Sequence, residues 1–222
     1  MIILSRVMRI VNCLFLLLFP CAILAQNVED FHALKEKFPN DHMINLANEQ
    51  EISISRENNR IKIIRSTTDR NLYLNETARQ FSKGSVAYSS FIRLDDIKAR
   101  SFYLEDGDYS EVEITKFLKK NELDDSFHDD LRTVNFIYPN LKAGSVTELV
   151  TKESILNPRF LGAFYFAGYF PVEKATLQVV VEKDIDIEFL QFNTKKYTVQ
   201  TEERKKANKT IYTFTLVGSE SS

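Results

Sequence analysis

From about residue 49 onward, apolar and polar positions alternate with a period of two. Ile52 and Ile54 alternate with Ser53 and Ser55, and Ile61 and Ile63 with Arg60 and Lys62. Leu72 and Leu74 flank Tyr73, and Val112 and Ile114 alternate with Glu111, Glu113 and Thr115. The pattern returns at Leu177, Val179 and Val181, at Ile185, Ile187 and Phe189, at Ile211, and at Phe214 and Leu216. Such alternation turns one set of side chains toward a core and the other toward water, so each run predicts a strand. Turn residues separate the runs: Asn58-Asn59, Asp106-Gly107, Pro139-Asn140, Lys142-Ala143-Gly144, Asn157-Pro158, Asn193 and Asn208. Short strands at intervals of roughly 8–12 residues predict an all-β fold, an antiparallel β-sandwich.

Three segments depart from that rhythm. Val28, Phe31, Leu34 and Phe38 recur at helical spacing, with Asn27 to cap the start, Lys35 and Lys37 near the end and Pro39 to stop it. They predict one short N-terminal helix packed on the sheet. The run Arg159 to Pro171 is apolar on both parities, with Phe160, Phe164, Phe166 and Phe170 on one and Tyr165 and Tyr169 among the other. It predicts a central strand covered on both sides, or, with the tyrosines turned outward, an interaction face made by Tyr165 and Tyr169. Lys119 to Asp130 is polar and acidic and predicts a solvated loop.

The start of the chain reads as a leader. Arg6 and Arg9 precede an apolar run from Ile10 to Leu24, closed by Ala25-Gln26, the order of a secretory signal peptide. Those 15 residues, with Asn12 and Pro20 among them, are short of the roughly 20 that a spanning helix needs. We therefore expect residues 1–25 to be cut after Ala25. The product would be secreted or periplasmic, with no stable membrane insertion. A single domain would fill residues 26–217, and residues 218–222 would form a flexible polar tail. Cys13 and Cys21 both lie in the leader. A mature chain would have no thiol, and its stability would rest on an ordinary core instead of disulfides. Loss of Arg6 and Arg9 leaves 27 basic against 31 acidic residues, a formal charge of −4. No basic face for nucleic acid is implied.

Candidate chemistry is sparse. His32, His42 and His128 are scattered, and no His-x-x-x-His or Cys-x-x-Cys spacing occurs. There is no Gly-x-Ser-x-Gly elbow and no phosphate-binding glycine loop. Asp106-Gly107-Asp108 resembles the start of a calcium loop, but Glu111 stands where that loop needs glycine and Phe117 where it needs its closing acid. A hairpin turn suits it better. No cofactor is expected. A hydrolase using paired carboxylates stays open, because the separation of two acids in space is invisible in sequence.

The stretch from His128 to Leu149 and the step Phe170-Pro171-Val172 carry a family resemblance. Pro139, Asn140, Lys142, Gly144, Ser145, Glu148, Pro171 and Val172 fall on the pattern of domain of unknown function 3857, which the chain resembles over almost its whole mature length. The resemblance implies an all-β sandwich similar to the N-terminal β-domain of zinc aminopeptidases. It also implies a place beside a transglutaminase-like domain in exported bacterial proteins, and no catalytic residue of its own. The Cys-His-Asp domain of such relatives does not follow residue 217 here. The expected role is a non-catalytic module that docks a protein or an envelope polymer. Turn chemistry makes Pro139, Asn140, Lys142, Gly144, Ser145 and Pro171 architectural.

Overall fold

The computed structural model describes residues 28–105, 108–121, 130–193 and 196–220. The expected leader, with Ala25 and Gln26, lies outside the described residues. So do Asp106-Gly107, residues 122–129 of the expected acidic loop, and Ser221-Ser222.

Among the described residues the chain is all-β with one α-helix, α1 (Val28–Lys37), followed by Pro39. The strands are β1 (Met43–Glu57), β2 (Arg60–Tyr73), β3 (Lys83–Tyr88), β4 (Ile92–Glu105), β5 (Asp108–Glu113), β6 (Leu118–Asn121), β7 (Arg132–Ile137), β8 (Val146–Ile155), β9 (Val172–Glu182), β10 (Gln200–Lys205) and β11 (Lys209–Ser219). Eight form a large sheet in the order β10-β11-β9-β1-β2-β8-β4-β5, and three form a small sheet, β3-β7-β6. The pairing is antiparallel except that β1 runs parallel to β9, so the large sheet is mixed where an antiparallel one was expected. A parallel neighbour needs a long crossover, and here the chain between β1 and β9 builds the small sheet, the first cover segment at residues 161–171 and four strands of the large sheet.

Local chemistry explains the hairpins. Asn58 and Asn59 both take positive φ, 49° and 60°, the conformation of a two-residue turn whose twist matches its strands. The turn sets Glu57 opposite Arg60. Glu105 pairs with Asp108 across the β4–β5 connection, as the Asp-Gly signal predicts.

The large sheet has two differently covered faces. On the outer face, Phe31 and Leu34 of α1 bury against Ile44, Leu72, Phe102 and Val146 at one end. Each such side chain contributes about 1.5–3 kcal/mol of burial. The inner face is covered in two halves. The small sheet covers the β2-β8-β4 half, packing Phe136, Tyr138 and Leu141 on Tyr73, Ala99 and Tyr103. Two segments without strand pairing cover the β1-β9-β11 half. The first runs over residues 161–171. It sets Leu161 against the cluster around Ile52, Ile54 and Val179, and Phe164 and Phe166 against the cluster around Val172 and Leu216. The second begins at residue 183 and lays Ile185, Ile187 and Phe189 on the same sheet face.

Both covering segments correct the sequence expectation of strands. Gly162, with φ +77°, breaks the extended run after a short 3-10 turn at Pro158–Phe160. Side chains then hold the backbone where a ladder would: Arg65 Nη1 donates to Leu161 O at 3.1 Å, and Asn48 Nδ2 to Tyr165 O at 3.2 Å. The second segment does alternate, with Asp186 and Glu188 exposed between Ile185, Ile187 and Phe189. It lies across the sheet instead of within it. We call both segments straps. Two smaller corrections follow. Lys119 to Asn121 belong to β6 and not to a loop, and Gly218 and Ser219 belong to β11, with Ser219 buried opposite Val172, and not to a free tail.

Candidate functional site

Strand parity places Asp69, Asn71 and Tyr73 side by side on the inner face of β2. Register brings Leu149 opposite Asp69 and Thr147 opposite Asn71 on β8. On the other side β1 contributes Met43 and Asn45, just before a bulge between Asn45 and Ala47. A bulge re-aims the side chains next to it. Here it leaves Asn45 Nδ2 donating to Asp69 Oδ1 and, at 3.0 Å, to Asn71 Oδ1. Asn71 Nδ2 closes the ring by donating to Asp69 Oδ2 at 2.8 Å.

A cleft of about 220 Å³ opens over this ring. Met43, Tyr73, Thr147 and Leu149 line its floor, and Phe81, Gly84, Ser85, Phe136 and Tyr138 its other wall. The wall depends on Gly84. A Cβ there would stand 2.3 Å from the Phe136 ring, so only glycine lets that ring lie against the β3 backbone.

The electrostatics are those of a buried acceptor. Burial pushes the Asp69 carboxyl above its ordinary value, and the two asparagine amides pull it back only in part. Asp69 takes part in no ion pair among the described residues. By contrast, Glu153 on the same face is matched by Arg65 at 2.6 Å, and Glu148 on the outer face by Arg70 and Arg100. Burial, and behind it the charges of Tyr73, Asp69 and Glu148, raises Tyr138. Burial likewise raises Tyr73, whose hydroxyl meets Thr147 Oγ1 at 3.3 Å. Both phenols therefore stay protonated. Among the described residues no group of three His, Cys, Asp or Glu could hold a metal ion, and no helix is long and apolar enough to cross a membrane.

The sequence-predicted positions fall elsewhere. Pro139, Asn140, Lys142, Gly144 and Ser145 form the link from β7 to β8. Asn140 and Gly144 take positive φ, 51° and 80°. Tyr103 OH donates to Pro139 O, and Tyr109 OH to Gly144 O at 3.0 Å. Ser145 is fully buried; its Oγ accepts from Lys142 N at 3.0 Å, and its carbonyl accepts from Tyr73 N at 3.0 Å. Pro171 is buried, and its carbonyl accepts from Asn45 N at 2.9 Å. These contacts tie the link to β2, β4 and β5, and tie Pro171 to β1. Tyr165 and Tyr169 stand on the outer side of the first strap, each 75% exposed. The Asn45-Asp69-Asn71 ring was not foreseen. Its one sequence signal is the polar run Asp69-Arg70-Asn71 set directly before Leu72-Tyr73-Leu74 in a single strand.

The family model "Domain of Unknown Function with solved-structure structure (DUF3857)" matches residues 49–217. The chain belongs to the DUF3857 family. No curated protein matches this DUF3857 chain in sequence. Its fold is similar to that of a Parabacteroides distasonis protein described provisionally as a protease, with a TM-score of 0.62 at 13% identity, covering 82% of this chain and 36% of that one. M1 zinc metallopeptidase from Deinococcus radiodurans also matches, with a TM-score of 0.40 at 10% identity, covering 78% of this chain and 39% of that one. The DUF3857 chain thus spans well under half the length of these solved structures.

Proposed function

We propose that this DUF3857 chain is an exported, non-catalytic accessory module. In this reading it docks a partner domain, transglutaminase-like or peptidase-like, or an envelope polymer, through the outer side of its two straps. Export rests on the leader pattern at residues 1–25. The observation that carries docking is the outward display of Tyr165 and Tyr169 on one strap and of Leu190 and Phe192 on the other, between 72% and 81% exposed. Large apolar side chains held outward on the same side of a molecule commonly mark an interaction surface. The Parabacteroides relative supports an accessory role, since the similar fold occupies about a third of that longer chain.

A hydrolase would need two acids roughly 5–10 Å apart. The acids on the inner face of β2 and β8, Asp69 and Glu153, sit four residues apart along neighbouring strands, roughly 13 Å by strand rise. Glu153 is also committed to Arg65. This favours docking over chemistry.

The test is capture from the native envelope with the purified mature chain and with a Tyr165→Ser/Tyr169→Ser variant. The expected result is one transglutaminase-like or peptidase-like protein, or one envelope polymer, retained by the wild type and lost by the variant. Equal retention by both would overturn the strap-face reading, and turnover of peptide or glycan by the purified chain alone would overturn the non-catalytic one.

A further inference from the structure

The cleft over Asp69 holds a carboxylate and no cationic side chain in its lining. Three amide protons of Asn45 and Asn71 are spent within the Asn45-Asp69-Asn71 ring. Asn45, which does not line the cleft, has its Oδ1 buried with no hydrogen-bond partner. Turning that amide over would not help, because it would set an oxygen against the Asp69 carboxylate. The acceptor that faces the cleft is the Asp69 carboxylate, and a buried acceptor calls for a donor. A buried carboxylate without a matching cation calls for a positive one. The walls narrow the choice further. Tyr73, Phe81, Phe136 and Tyr138 present aromatic rings, and Met43 and Leu149 add apolar surface. A calcium ion wants six to eight oxygens, and one carboxylate among rings does not supply them. An ammonium group needs one anion, a few acceptors and π-faces.

We propose that this cleft binds a small organic cation, a primary ammonium group on a short apolar body, with the ammonium seated on Asp69 and the body against the Tyr73, Phe136 and Tyr138 rings. The Thr147 and Ser85 hydroxyls are available to take its remaining protons. At 220 Å³ the cleft has room for such a molecule, about seven water shares of liquid volume. The site is separate from the outward tyrosines of the straps, so it stands or falls independently of the docking reading.

The test uses the folded wild-type chain and n-butylammonium chloride, with n-butanol as its uncharged counterpart, followed by amide NMR shifts at constant ionic strength. The expected result is saturable binding on the order of millimolar, ordinary for a fragment of this size, with shifts clustered on β2, β8 and the Phe136–Tyr138 segment. Butanol should bind at least about tenfold more weakly, and Asp69→Asn should cost the ammonium about tenfold or more, the size expected when its one anion is removed. Absence of saturation by roughly 50 mM, butanol matching the ammonium, Asp69→Asn binding as tightly as wild type, or calcium chloride producing the same shifts at lower concentration would each overturn the proposal. If Asp69→Asn fails to fold, the charged-against-uncharged contrast on the wild type decides it.

Discussion

Two covers share the inner face of one sheet and hold to it by different means. The small sheet brings its own hydrogen-bond ladders: β7 pairs with β3 over Lys83 to Tyr88 and with β6 over Leu118 to Asn121. Much of its backbone is paired within the layer, and its side chains interlock, as Phe136 does with Phe117 and Tyr138. The straps have no ladder. The first strap depends on the sheet for its anchors, Arg65 and Asn48, and its Phe170 meets Phe81, in the turn before β3, edge-on at 5.6 Å. Buried backbone polar groups must find partners. One cover is a self-sufficient layer and the other is a layer on loan from the sheet beneath it.

The widest gap between them should appear in their cores. Phe136→Ala removes a buried ring from the small-sheet half and should cost about 3–5 kcal/mol. The matching change in a strap, Phe189→Ala, should cost about half as much, because that ring is partly exposed and gains from contact with Tyr212 and Phe214 at one side. Urea unfolding with the slope checked for constancy measures both. Equal costs would mean that the straps are as firmly packed as the sheet.

The anchors come next. Arg65 donates to Glu153 at 2.6 Å and to Leu161 O, so one side chain joins β8, β2 and the first strap. Arg65→Met leaves Glu153 buried without its cation and should cost about 3 kcal/mol. Amide exchange should rise first in residues 161–171. The double change Arg65→Met/Glu153→Leu should recover most of the loss, since well-packed apolar pairs replace buried ion pairs at little cost. Exchange in the small sheet should hardly move in either variant.

The same contrast explains what could be read from the residues in advance. The helix, the turn at Asn58-Asn59 and the pairing of β4 with β5 follow from local rules, and local rules are sufficient for them. The straps were misread as strands because period-two alternation reports an extended backbone with one buried side. It does not report a neighbour to pair with. Ile185, Ile187 and Phe189 obey the alternation fully and still lie across the sheet. The run around Phe164 and Tyr165 predicts either two covered faces or outward tyrosines; in the structure Phe164 and Phe166 face core, and Tyr165 and Tyr169 face water. The parallel pairing of β1 with β9 joins residues more than a hundred positions apart, and no local signal announces it. The Asp69 ring was missed for a related reason. Asn45, Asp69 and Asn71 become neighbours only through the register of β1 on β2 and its bulge.

Asp69 offers a smaller effect with a definite sign, at the seam between the two covers. Its folded-state carboxyl is raised above the unfolded value of 3.8 by burial, so the folded chain holds this proton more tightly. The stability it contributes is therefore complete below pH 3.8 and declines as pH rises through the folded value. Asp69→Asn removes that decline. The variant also loses one acceptor for the two amides, so its absolute melting temperature is not the readout. The difference in melting temperature, variant minus wild type, should be more positive at pH 7 than at pH 4. A flat difference across that range would mean that Asp69 is ionised in the folded state as easily as in water. Tyr73 and Tyr138 face the same cleft, but both titrate far above this window and leave the sign unchanged.

The smallest effect sharpens the comparison most, because it divides the first strap along its length into an inner and an outer side. Asn48 holds Tyr165 by its carbonyl, not by its ring, so Tyr165→Ser keeps the anchor and removes only exposed surface. Its cost should fall within about 0.5 kcal/mol, the usual range for surface changes. Tyr169 differs in one respect: its ring meets Phe170 edge-on at 5.0 Å, and Phe170 in turn meets Phe81 beside the cleft. Tyr169→Ser should therefore cost slightly more, by about 0.5 kcal/mol for the lost aromatic pair. Thermal melts of the two single variants and the double variant check this, and the double variant should be additive, because the two rings share no partner. A loss of several kcal/mol at either position would make these rings part of the cohesion of the strap. Their outward display would then need no partner to explain it.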